Sequence, residues 1–276
     1  MLTDRLNHLL RSSAPAAIKL VRLATALGLS LVLSPHRPAD AESDAWQVSM
    51  DQGNAAYKKR DLEEARRLFG KAIDEAGKEE PPGIRRAAGL VGLANTFNDE
   101  QKHSQAEPLY RKALAIYESP DLGENRQDKA ECMEGLARLL RASGRDEEAA
   151  RLESKARTIW ERLWANYTYH AVLCEDDEDL TQAEQAFQAA LQFSEHCAPQ
   201  YGRMLSTLEN LVMLYDKQGR YAEAEPLCRK SVDICHKVFG ADHKKTRRAQ
   251  EAYSNLLRKR RENGSQRPAG GNGNGD

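Results

Sequence analysis

Apolar and small side chains return along this chain at fixed distances from five alanines: Ala65, Ala106, Ala149, Ala183 and Ala224. These anchors lie 41, 43, 34 and 41 residues apart. Twelve residues before each stands a small or modest side chain: Gly53, Ala94, Ala137, Ala171 and Val212. Seven after each the side chain is again small: Ala72, Ala113, Ala156, Ala190 and Ser231. Four after come Phe69, Tyr110 and Phe187, with Glu153 and Cys228 as the exceptions. Eight after lie Ile73, Leu114, Leu191 and Val232, with Arg157 as the exception. Offsets of four, seven and eight share one face of a helix. Small residues admit a neighbouring helix closely, and the aromatic fills the space beside them.

The pattern predicts a helix on each side of a short break in every repeat. The breaks are Arg60-Asp61, Ser143-Gly144-Arg145-Asp146 and Gln218-Gly219-Arg220, with Glu178 where the fourth repeat turns. Ser104 with Glu107, and Thr181 with Glu184, have capping-box spacing. Pro108 and Pro226 fall in a first helical turn, where a missing N–H costs little. A period of this length marks a stacked array of helical hairpins.

The repeats resemble those of tetratricopeptide repeat proteins, and in particular the long repeats of the kinesin light chain type. The resemblance is carried by Gly53-Asn54-Ala55-Ala56-Tyr57 with Asp61-Leu62-Glu63-Glu64-Ala65, and by residues 106–114. It is strongest in 219–227, followed by Phe239-Gly240-Ala241-Asp242-His243, after which Lys244 stands where a proline is usual. It implies an all-α, right-handed α-solenoid of about five repeats over residues 45–243. A capping helix over 244–262 follows, with Ala249, Ala252, Tyr253, Leu256 and Leu257 on its apolar side.

In arrays of this family the first helices line a concave groove that holds a protein segment. Carried over by offset, the groove residues are Met50, Asn54, Tyr57 and Lys58, then Val91, Asn95, Asn98 and Asp99. Glu134, Arg138 and Arg141 follow, then Val172 and Glu175, then Glu209, Met213 and Asp216. Asn54 and Asn95 share the position eleven before the anchor. An amide there suits a bound peptide backbone, because it donates and accepts at once. The relatives that clamp a carboxylate carry a lysine where Met50 stands, so a carboxylate clamp is not expected. Arg138 and Arg141 suit an acidic segment, and the far end is acidic.

Composition changes this picture little. Of the 276 residues 40% are hydrophobic, 6% aromatic and 30% charged, and the net charge of −1 gives no global steering toward nucleic acid or membrane. Five cysteines show no CxxC spacing, and a disulfide framework is not expected. Cys174 and Cys228 sit at core offsets, where a thiol packs as a small apolar group.

The ends differ from the middle. Arg5, Arg11, Lys19 and Arg22 precede an apolar run from Leu23 to Leu33 and then Ala39-Asp40-Ala41. That order predicts an export signal over 1–41, cleaved after Ala41, with an uncleaved membrane anchor as the alternative. Residues 244–261 carry eight basic side chains and one acid, which reads as a solvated face, with nucleic-acid binding a weaker alternative. The Gly- and Asn-rich stretch 263–276 is expected to be disordered.

No phosphate loop, GxGxxG, HExxH or GxSxG occurs, and no cofactor or metal is expected. The seven histidines show no ligand-spaced pairing with a second His or Cys beyond the adjacent His196-Cys197 and Cys235-His236. The acidic run 175–179 lacks the spacing of a calcium loop and reads as a solvated turn. The sequence therefore points to a non-enzymatic adaptor that binds another protein. A structural assembly factor, using its outer face, is the rival.

Overall fold

In a computed structural model of the chain, residues 45–77, 83–122, 126–197 and 201–265 are described. They form ten α-helices and one short 3₁₀ turn, and none of them lies in a strand. The helices are α1 (Ala45–Lys58), α2 (Leu62–Ala76), α3 (Ile84–Asp99), α4 (His103–Tyr117) and α5 (Gln127–Ala142). Then come α6 (Asp146–Asp176), α7 (Leu180–His196), α8 (Tyr201–Lys217), α9 (Tyr221–Phe239) and α10 (Lys244–Ser265). The arrangement is that of an all-α solenoid, with α1 to α5 packed in succession, and likewise α7 to α10. The chain divides into two compact units, one ending at Leu163 and the other beginning at Trp164.

All five anchors are fully buried, as are Ala72, Ala113, Ala156 and Ala190 seven residues on. In the first unit Phe69 and Tyr110 fill the space the small residues leave. A Cβ added to Gly53 would stand 2.9 Å from the Phe69 ring, and one added to Gly92 2.6 Å from it. Tyr110 has the same relation to Gly135, at 2.7 Å. The second unit builds its core from Ala171, Ala183, Phe187, Leu211, Leu214 and Leu256.

Five residues before every anchor the backbone enters the left-handed region: Arg60, Gln101, Gly144, Glu178 and Gly219, with φ of 64°, 60°, 74°, 61° and 69°. Each turn closes with the same two hydrogen bonds. In the first, the N–H of Arg60 donates to the carbonyl of Tyr57, and that of Asp61 to Ala56. In the fifth, Gly219 donates to Asp216 and Arg220 to Tyr215. This pairing satisfies the last carbonyls of the first helix and reverses the chain. Asp61 and Asp179 then cap the second helix, accepting from the N–H of Glu64 and Gln182.

One helix pair expected to be separate is continuous. The second helix of repeat three and the first of repeat four form α6, which runs from Asp146 to Asp176 without Gly or Pro. The anchors on either side of this stretch are 34 residues apart, the shortest of the four spacings. Helix α10 reaches Ser265, three residues past the expected end of the cap. Its Leu256 is buried, while Ala249, Tyr253 and Leu257 are half-buried and Ala252 is exposed. No helix among the described residues is long and apolar enough to cross a membrane. The expected signal segment 1–41 and the tail beyond Ser265 lie outside the described residues.

Candidate functional site

The first helix of each hairpin presents the residues expected to meet a partner. In the first unit Asn54, Lys58 and Arg138 are exposed. Val91, Asn95, Asn98 and Tyr57 are half-buried, and Met50 turns into the core at 8% exposure. Several of these side chains hold one another. Tyr57 donates from its hydroxyl to Asp99 at 2.9 Å, and Arg60 donates to the same carboxylate at 2.7 Å. The Tyr110 hydroxyl donates to Asn95 Oδ1, which leaves the Asn95 amide NH₂ to donate outward. Asn98 meets His103 at 3.2 Å. Glu134 accepts from Trp160 Nε1 at 2.7 Å, and Arg141 donates to Glu153 at 2.7 Å.

Glu153 is the residue that stands where the aromatic is expected in repeat three, and it forms an ion pair with Arg141 at the surface. Of the two arginines expected to greet an acidic segment, only Arg138 makes no ion pair among the described residues. Its charge acts on both Tyr57 and Tyr110. Burial, and then the hydrogen bond to Asp99, push the Tyr57 phenol up, while Arg138 opposes that shift. Burial raises Tyr110, and Arg138 again opposes. Asn95, Tyr57, Tyr110, Asp99 and Arg138 thus belong to one polar patch.

In the second unit the corresponding row is apolar. Val172 and Met213, eleven before their anchors, are 41% and 58% exposed. Glu209 is exposed, whereas Asp216 is paired with Lys259 at 2.6 Å and Glu175 with Lys217. Glu209 and Met213 line a cleft of about 200 Å³ that α8, α9 and α10 enclose. The acidic run is structural: Glu178 makes the left-handed turn, Asp179 caps α7 and Glu175 bridges to α8.

A cross-helix rule emerges that the sequence did not reveal. The residue eight before one anchor bonds the residue seven before the next, in Tyr57–Asp99 and Glu175–Lys217. Asp216–Lys259 extends it onto α10. A second rule ties repeats through arginine. Arg145 bridges Glu107 and Glu148, and Arg220 bridges Glu184 and Glu223.

His170 and Cys174 form a pair that sequence reasoning missed, with Nε2 and Sγ 3.3 Å apart at i, i+4. Two ligands alone do not make a metal centre, and the described residues hold no cluster of three or more. All five cysteines are buried, and none of them is in a disulfide. Burial pushes the Cys132 thiol up to about 12 and Cys228 up to about 11.

A tetratricopeptide repeat family model matches residues 85–162, and a second one matches residues 204–243. Among solved structures, the chain is similar to nearly identical TPR-like repeats assigned to a kinesin light chain of Podosopora anserina. Identity is 17%, coverage 72% of this chain and 99% of that one, and the TM-score 0.40. BtubC (BKLC) from P. vanneervenii is 15% identical over 91% of this chain and 93% of its own, with a TM-score of 0.40. A Rap protein complexed with competence and sporulation factor is 16% identical over 78% and 64%, with a TM-score of 0.39. No curated protein sequence matches the chain. The family models fall on repeats two, three and five, and all five hairpins turn on the same left-handed residue. Residues 85–162 and 204–243 are tetratricopeptide repeats.

Proposed function

We propose that the protein is a non-enzymatic adaptor that holds a segment of another protein on the first-helix face of its first unit. The observation that carries this reading is Arg138. It is an exposed guanidinium without an ion pair among the described residues, and its charge is felt at Tyr57 and Tyr110. Asn54 and the outward amide of Asn95 offer backbone recognition beside it. An extended segment with an acidic side chain near Arg138 fits this chemistry.

Affinity capture from the source organism, with wild type and an Asn54→Ala, Arg138→Glu variant, tests it. Capture should fall at least tenfold while the thermal midpoint stays within a few degrees. Equal recovery of the same partner by both proteins overturns the reading.

Export is part of the proposal. The basic leader, the short apolar run and Ala39-Asp40-Ala41 support cleavage after Ala41. Sequencing the mature N-terminus should find Glu42; a chain starting at Met1 in the membrane pellet makes the segment an anchor instead. Nucleic-acid binding through α10 has less support, because Lys259 and Arg260 are taken by Asp216 and Glu225.

A further inference from the structure

We propose that the cleft among α8, α9 and α10 receives an aromatic side chain from a partner protein. Repeat register is the argument. In the first repeat the aromatic four after the anchor, Phe69, lies against Gly53 of its own hairpin and Gly92 of the next. Phe187 takes the same offset in the second unit and is likewise fully buried. The fifth repeat has Cys228 at this position and Val212 as the counterpart of Gly53.

The third wall follows from the cross-helix pairs. Asp99 receives the residue eight before the first anchor, and Lys259 pairs with the residue eight before the fifth. Gly92 stands seven residues before Asp99, and Ala252 seven before Lys259. Val212, Cys228 and Ala252 are therefore the counterparts of Gly53, Phe69 and Gly92, and all three line the cleft. A thiol where three of the other four repeats place a ring leaves that space open.

Size and charge narrow the occupant. About 200 Å³ is below the range of roughly 300–1,000 Å³ that holds a drug-sized ligand, and suits one side chain. Leu208, Met213 and Ala249 extend the apolar lining, with the hydroxyl of Ser231 where the other repeats have alanine. Glu209 and Arg248 flank it, both exposed and neither ion-paired among the described residues. The complementary segment carries an aromatic residue with a basic neighbour on the Glu209 side and an acidic one on the Arg248 side. This site rests on the reading of the protein as a protein-binding adaptor but uses a different surface from Arg138.

Selection of a phage-displayed random dodecapeptide library on the full chain, followed by fluorescence polarisation with the enriched peptides, tests the proposal. Enriched sequences should share one aromatic residue flanked by a base and an acid. Replacing that aromatic by alanine should weaken binding at least tenfold. Cys228→Phe, which fills the cleft from within, should weaken it equally. The Asn54→Ala, Arg138→Glu variant should bind these peptides like wild type. Should Cys228→Phe fail to fold, Ala252→Trp at the exposed mouth replaces it with the same expectation. Enrichment of peptides without an aromatic, no enrichment, or undiminished binding to the filled cleft overturns the proposal. Peptides lost only in the Asn54, Arg138 variant also overturn it while upholding the first-unit site. Concentration-dependent self-association abolished by Cys228→Phe overturns it too, by making a second copy of the chain the occupant.

Discussion

Phe69 lies so close to the backbone at Gly92 that a Cβ there would meet its ring at 2.6 Å. The contact joins the first hairpin to the second. Gly92→Ala should destabilise the protein by about 1–3 kcal/mol, as overpacking does in close-packed interiors. Gly70, on the same helix as Phe69, has open space around its Cβ position. Gly70→Ala should stabilise by about 0.5–1 kcal/mol through helix propensity. Urea unfolding midpoints of the two variants should move in opposite directions.

Gln101 holds a left-handed turn at φ 60° where the third and fifth repeats use glycine. Left-handed backbone costs a side-chain-bearing residue roughly 1–2 kcal/mol. Gln101→Gly should therefore raise the melting temperature, and Gly144→Ala, at φ 74°, should lower it. Differential scanning calorimetry on the pair checks both signs.

Glu184 accepts from Arg220 and from Tyr215. The Arg220 hydrogen bond holds its carboxyl below the ordinary 4.5, against partial burial, with the Tyr215 hydrogen bond adding to the lowering. A depressed carboxylate adds stability above its unfolded pKa, and that stability is lost as pH falls through the folded value. Denaturant midpoints should drop as pH is lowered below about 4.5. Glu184→Gln should start lower and fall less steeply over that window. An identical pH slope in the variant would remove Glu184 from the account.

Cys132 is buried and its thiol is pushed up to about 12. Thiolate is the reactive form, so a native chain at pH 8 should leave Cys132 unmodified by a disulfide reagent. Denaturant should release all five thiols together. Mass spectrometry of the labelled chain measures each site.

The hairpins were legible because their signal is steric. Alanine at each anchor is the side chain that lets two helices touch, and all five are fully buried. The fused helix α6 was not legible, because a spacing of 34 residues accommodates a loop as readily as a continuous helix. Breaks were expected at Arg60 and Glu178 but not at Gln101, and the left-handed backbone at all three was hidden because long polar side chains carry no conformational signature. The groove offsets fall on the first helices, and pairing decides which of their residues stay open. Arg141 is consumed by Glu153 and Asp216 by Lys259, and both partners lie beyond the helix that displays the residue.

Site-specific photo-crosslinking addresses the adaptor directly. A benzophenone side chain replacing Asn54 on α1, or Arg67 on α2, is irradiated in the cell that makes the protein. Both native positions are exposed, but Asn54 lies on the first-helix face and Arg67 on the second helix of the same hairpin. A covalent adduct to one partner protein is expected from position 54 and none from position 67. Adducts from position 67 alone would place the contact on the second-helix side and contradict the first-helix reading.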